Sequence, residues 1–285
     1  MTAGASARRG VLVVVAAITL FACVDVLSKM LGQRMPVAIV IWARFVLFVP
    51  IALALAWRPG RGIVWRSGQP WLQLLRSVML PLQMGLFISA FAALPLADVH
   101  AVGSAAPLLV TALSVPLLGE TVDWRRWCAV LAGFAGVLLI VRPGFAEVTL
   151  PILYVVGGTS LWACYQIVLK VVGRTDGAVT SGVWSAVIGS VVTSVAAWFA
   201  WTPPDASGWG LLAAAALVGG LGHIVYSRAF NLAPASTLQP FNYLLLVYGA
   251  FFGWLVFGDV PDPRTIAGAT IVVCAGLYTF RRAQA

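Results

Sequence analysis

Ten stretches of this 285-residue chain stay apolar long enough to cross a lipid bilayer. They lie near 11–31, 37–57, 71–93, 97–118, 124–141, 149–170, 178–201, 209–231, 235–257 and 264–280. A helix needs about 20 apolar residues to span the hydrocarbon. Inside lipid an unpaired amide finds no water, so each run must close its own hydrogen bonds as a helix. The composition excludes a soluble alternative: 61% of residues are hydrophobic, 9% are charged, and mean hydropathy is +0.97, whereas soluble domains are about a quarter charged. The expected fold is therefore an all-α membrane protein of ten transmembrane helices. The breaks, such as Gln33-Arg34-Met35-Pro36 and Asp259-Val260-Pro261-Asp262-Pro263, are too short to hold a soluble domain. Arg8-Arg9 followed by an apolar run to Cys23 imitates a lipoprotein signal, but the run continues to Leu31 and is read as a retained first span.

The second half repeats the first. Leu118-Gly119-Glu120 is followed by a helix carrying Gly133 and Gly136; Phe257-Gly258-Asp259 is followed by one carrying Gly268 and Gly276. Residues 10–142 and 149–282 are read as two five-helix copies. An odd number of crossings per copy turns the copies over relative to one another, the build of carriers whose site lies at the repeat interface. With the N-terminus in the cytoplasm, the cytoplasmic loops receive 12 Lys and Arg, Arg125, Arg126, Arg281 and Arg282 among them. The far side receives 4 (Lys29, Arg34, Arg142, Arg264), while Arg44 and Arg76 stay in the membrane. The positive-inside bias puts both termini in the cytoplasm. The net charge of +9 is thus assigned to loops that set orientation rather than to nucleic-acid binding.

The string Ala97-Asp98-Val99, Pro107-Leu108-Leu109, Leu118-Gly119-Glu120, Arg126-Trp127, Gly133-Phe134-Ala135-Gly136 and Arg142-Pro143-Gly144 resembles the first EamA repeat of the drug/metabolite transporter superfamily. Ala233-Pro234-Ala235, Phe257-Gly258-Asp259, Gly268 and Gly276 are similar to the second, with Asp259 in place of the more usual glutamate. The resemblance implies a central cavity lined mainly by helices 1, 3, 4, 6, 8 and 9. It implies transport of amino acids and other small metabolites, mostly outward, across bacterial inner membranes.

Motifs for other chemistry are missing from the sequence. There is no G-x-x-x-x-G-K-[ST], no H-E-x-x-H and no G-x-S-x-G, so neither a primary pump nor an intramembrane enzyme is expected. Cys23, Cys128, Cys164 and Cys274 stand apart from one another, with no metal spacing, and read as buried packing residues. No cofactor or metal is expected. The expected partners are a small-molecule substrate and lipid, with the chain as monomer or homodimer.

Polar groups at membrane depth are costly and mark interior faces. Gln83 lies mid-span in helix 3; His100 and Ser104 are four apart in helix 4; Trp162, Tyr165 and Gln166 share a face of helix 6. His223, Tyr226 and Ser227 share one of helix 8, and Gln239, Asn242 and Tyr243 one of helix 9. Gln83, His100, Ser104, Trp162, Tyr165, Gln166, His223, Tyr226, Asn242 and Tyr243 are the candidate substrate-binding residues, with Gln83 and His100 expected to touch the cargo. Each has a plainer reading. Trp and Tyr also anchor at interfaces, Ser104 and Thr111 can bond their own backbone, and amides can bridge helices.

Asp25 and Arg44 lie at similar depth and are expected to pair, with a gate or a carboxylate-binding arginine as the alternative. Lys29 and Arg76 are expected to snorkel to the interface. Glu120 and Asp259 read as pins of the turns before helices 5 and 10. The functional expectation is a secondary transporter that moves neutral or aromatic amino acids by alternating access; the alternatives are a facilitator or channel, or a carrier for drugs or nucleotide sugars.

Overall fold

The computed structural model describes residues 3–58, 62–63, 65–119, 121–141, 149–232 and 238–282. Glu120, Arg142-Pro143-Gly144 and Ala233-Pro234-Ala235, which the sequence singles out, lie outside these residues. The first half contains α1 (Ala3–Gly32), α2 (Val37–Ala56), α3 (Pro70–Ala93), α4 (Leu96–Gly103), α5 (Ala106–Leu118) and α6 (Trp124–Val141). A two-residue pair of strands, β1 (Trp57–Arg58) and β2 (Gly62–Ile63), joins α2 to α3. The second half contains α7 (Leu150–Val172), α8 (Ala178–Phe199) and α9 (Ala206–Leu232). A 3-10 turn (Gln239–Tyr243), α10 (Leu244–Phe252), a π turn (Gly253–Phe257) and α11 (Pro263–Arg282) follow. Short connections make the chain cross from side to side. The side that holds the start of α1 is called near, and the other far.

Two expected spans are interrupted. The span 97–118 is broken at Ser104-Ala105, where α4 ends and Pro107 enters the first turn of α5. A proline lacks the backbone donor and is tolerated in a first turn, so the chain restarts there. The described part of the span 235–257 begins with a 3-10 turn and closes as a π turn. Both spans end on a left-handed glycine, Gly119 at φ 69° and Gly258 at φ 73°. Only a residue without Cβ takes that conformation at little cost, which explains the Gly in each Gly-acid pair.

The packing follows a pseudo-twofold pattern. α2 lies along α8 and α6 along α11, each against its own counterpart, and α4 lies along α10, the two belonging to counterpart spans. α1 packs on α9, as its counterpart α7 packs on α3. Small residues make these seams: a Cβ on Gly136 would lie 2.8 Å from the Gly268 carbonyl, and one on Gly268 2.6 Å from the Gly136 carbonyl. Large apolar side chains stand outward, as they must where the outer solvent is lipid. Trp57, Trp65, Trp71 and Trp124 are exposed at near-side ends, and Trp198, Trp201, Trp209 and Trp254 at far-side ends. Two such belts mark the two membrane interfaces. Of the four cysteines expected to be buried, Cys128 and Cys274 are exposed on α6 and α11, and Cys23 and Cys164 are half-buried.

Candidate functional site

Helix α1 organises the interior, because one face of it carries Phe21, Asp25, Ser28 and Lys29 toward elements of both halves. Asp25 does not meet Arg44 in an ion pair. Its carboxylate lies 3.3 Å from Nε2 of His100, while Arg44 donates to the Ser28 hydroxyl at 3.3 Å. Arg44 and Asp25 remain near enough to feel one another's charge. The reason is rotational. Position 28, not 25, faces α2, and the α4 backbone brings His100 onto α1. His100 also packs beside Phe91, with ring centroids 5.5 Å apart, and against Gly249 of α10, where a Cβ would sit 2.5 Å from its ring.

Lys29 does not snorkel. Its ammonium donates to Asp259 at 2.6 Å and to the Leu94 carbonyl at 3.0 Å, and lies 4.5 Å over the Phe257 ring. The left-handed Gly258 turns the chain so that Asp259 reaches back to α1. Asp259 is thus an ion-pair partner joining the two halves on the far side, rather than only a pin of its own turn.

A second cluster lies on the near side. Arg76, expected at the interface, is buried (3% exposed) among α3, α7 and α8. It donates to Gln73 Oε1 (3.0 and 3.2 Å), to the Tyr165 hydroxyl (2.9 Å) and to the Ser181 carbonyl. Gln73 in turn donates to Asp176 (2.8 Å) and to Ser181 Oγ (3.0 Å). Asp176 also accepts from Ser67 and from the Gly68 amide at 2.8 Å. Burial pushes the Asp176 carboxyl up, but hydrogen bonds from Ser67, Gln73, Gly68 and Thr175 outweigh it and hold the group below its ordinary 3.8.

Of the ten candidates, several come together. Tyr226 donates to Asn242 at 3.3 Å, and Phe21 packs on His223 (5.0 Å) and Tyr226 (5.6 Å), its ring close enough to Gly222 that a Cβ there would lie 2.9 Å from it. His223 packs its ring on Phe21 yet is exposed. Trp162 stacks on Tyr165 at 5.1 Å, which places that pair with Arg76. Gln83, near the middle of α3, and Gln166, six residues from the near end of α7, are half-buried, and their amides make no hydrogen bond among the described residues. His100 is one turn from the far end of α4, so it does not share Gln83's depth. Ser104 donates to the Ala101 carbonyl at 2.6 Å and Thr111 to Pro107 at 2.9 Å, the backbone reading. Tyr243 is turned toward α11, its hydroxyl against Gly276. Phe21, Ser28, Gln73 and Asp176 escaped the sequence reading. Only Gln73, one turn before Arg76, left a signal in spacing.

A model of the EamA-like transporter family matches residues 8–142 and 149–281. The chain belongs to the EamA-like transporter family. It is a multi-pass membrane protein and a secondary transporter, and its family consists of carriers rather than enzymes. It is similar to the S-adenosylmethionine uptake transporter of Rickettsia felis, 27% identical over 254 residues covering 89% of this chain and 86% of that one. It is similar to the riboflavin transporter of Brucella anthropi, 27% identical over 277 residues (94% and 97%). It is also similar to the pseudopaline exporter CntI of Pseudomonas aeruginosa, 28% identical over 271 residues (94% of each). A solved crystal structure shares the fold over 98% of this chain and 99% of its own, with a TM-score of 0.64 at 18% identity.

Proposed function

We propose that this protein carries a small zwitterionic organic metabolite, aromatic amino acids foremost, across the bacterial inner membrane by alternating access, with its near side cytoplasmic. The two family repeats act as inverted halves that rock about the seams α2–α8 and α6–α11. The observation that carries the reading is one break in the pseudo-symmetry. On the far side α4 lies tight on α10 through Gly249, and Lys29–Asp259 fastens the same end. On the near side α5 packs on α7, α6 and α11 and, among the described residues, makes no comparable seam with the 3-10 turn that opens the other repeat's matching span. Symmetric parts held in an asymmetric contact support a conformation closed at one end, whose counterpart is closed at the other.

The cargo reading is supported by a set of polar and aromatic side chains that keep accessible surface: charges of both signs on α1 and α2, an aromatic group of Phe21, His223 and Tyr226, and the amides of Gln83 and Gln166. An apolar chamber with a few placed polar groups suits a partly apolar, zwitterionic solute. The named relatives carry cargoes of diverse size, so family membership alone does not select one. Counterflow tests the function. Proteoliposomes preloaded with unlabelled L-tryptophan are expected to accumulate labelled L-tryptophan transiently and saturably. Flux without saturation or counterflow would mark a pore instead.

A further inference from the structure

Among the described residues, Lys29, Arg44 and Arg76 are cations set into the bundle, and they are not equally engaged. Lys29 has a carboxylate, a carbonyl and a ring. Arg76 has Gln73, Tyr165 and the Ser181 carbonyl. Arg44 has one bond, 3.3 Å to the Ser28 hydroxyl. A guanidinium offers five N–H donors in a planar fork. At membrane depth such a group is ordinarily paired, yet the rest of this fork meets no acceptor among the described residues.

Its surroundings point inward. Arg44 is seven residues into α2 from the far side, roughly 10 Å of rise, and its guanidinium reaches Gly219, thirteen residues into α9, roughly 20 Å. It therefore extends toward the bilayer centre. Its side chain keeps accessible surface beyond these contacts with α1 and α9. Gly219 adds no side chain there; even a Cβ would stop 3.5 Å from Nη2. His223 feels the Arg44 charge from the same helix α9. The charged and titratable groups facing it are thus Asp25 and His223.

We propose that Arg44 anchors the cargo's carboxylate, so that the carrier selects solutes bearing a free carboxylate group. The proposal rests on the transporter reading above. The fork fits a carboxylate with two parallel N–H···O bonds, which a neutral amide cannot reproduce. Asp25, one turn before Ser28 on α1, gives a cationic amine on the same solute an opposing charge. A zwitterion then enters without leaving net charge in the membrane. Of the cargo types named for the relatives, this favours one like S-adenosylmethionine, which has a carboxylate and an amine, over riboflavin, which has no carboxylate.

The test uses the purified full chain in lipid nanodiscs and measures binding of matched pairs: L-tryptophan with L-tryptophanamide, L-phenylalanine with L-phenylalaninamide, and riboflavin. The expected result is that at least one acid binds about tenfold or more tightly than its amide. In Arg44→Gln that pair becomes level, and Arg44→Lys restores part of the preference because charge remains without the fork. The proposal is overturned if no acid outbinds its amide in the wild-type chain, or if the preference survives in Arg44→Gln. The wild-type comparison decides the matter even where Arg44→Gln does not fold. Saturable counterflow of riboflavin without acid preference would sink the anchor and keep the carrier; absence of counterflow with every solute would sink the carrier reading itself.

Discussion

Lys29 sits one turn from the end of α1, where a lysine stem could extend along the helix into water. It folds instead onto Asp259, and its side chain is only 6% exposed. Removing either partner leaves a charge in a poorly hydrated place, which costs more than removing both. In a double-mutant cycle on detergent-solubilised protein, Lys29→Met and Asp259→Asn are expected to destabilise singly. The double variant should fall short of their sum by roughly 0.5–3 kcal/mol; simple additivity would refute the pairing. The sequence shows that Lys29, Asp25 and Arg44 lie near the same depth. It does not show which turns toward which, because periodicity fixes a residue's place on its own helix and not that helix's rotation in the bundle. That is why Asp25 meets His100, and why Lys29 finds a partner 230 positions away.

At the scale of elements, the two glycine caps and the glycine seam make separate predictions. Gly119 and Gly258 have positive φ and nothing within 4 Å of an added Cβ. Alanine there should cost roughly 1 kcal/mol each through backbone conformation alone, read as a lowered unfolding midpoint. Gly249 differs, because a Cβ would strike the His100 ring at 2.5 Å. Gly249→Val is therefore expected to keep expression but prevent α4 from closing on α10, lowering transport at least tenfold; full activity would contradict the far-side closure. The Asp176 cluster makes a pH prediction. Its folded carboxyl is held below 3.8, so its stabilisation is complete above that value and is lost as pH falls through the still lower folded one. The stability gap between wild type and Asp176→Ala should be flat from pH 7 to about 4 and shrink in stronger acid. A gap that shrinks between pH 7 and 5 would contradict it. The Gly-acid pairs were legible because a helix end has local chemistry. The break at Ser104-Ala105 was marked only by Pro107, which in a membrane helix also permits a continuous kink. The partners of Arg76 were hidden because they come from α7 and α8.

For the whole molecule, the apolar runs and the repeated Gly-acid pairs were enough to give the family and an all-α bundle, since the bilayer leaves few ways to satisfy a backbone. The asymmetry between the two ends was not legible. A sequence encodes every conformation of a carrier, whereas a structure holds one of them. The central claim is that the two family repeats lie inverted, so that equivalent turns face opposite sides of the membrane. The most direct measurement is sided labelling of single cysteines at Thr121 and Val260, just beyond Gly119 and Gly258, in a background lacking Cys23, Cys128, Cys164 and Cys274. In intact cells an impermeant thiol reagent is expected to label the cysteine at 260 at once and the one at 121 only after the membrane is opened. Labelling of both from the same side would contradict the inverted arrangement, and the alternating-access account with it.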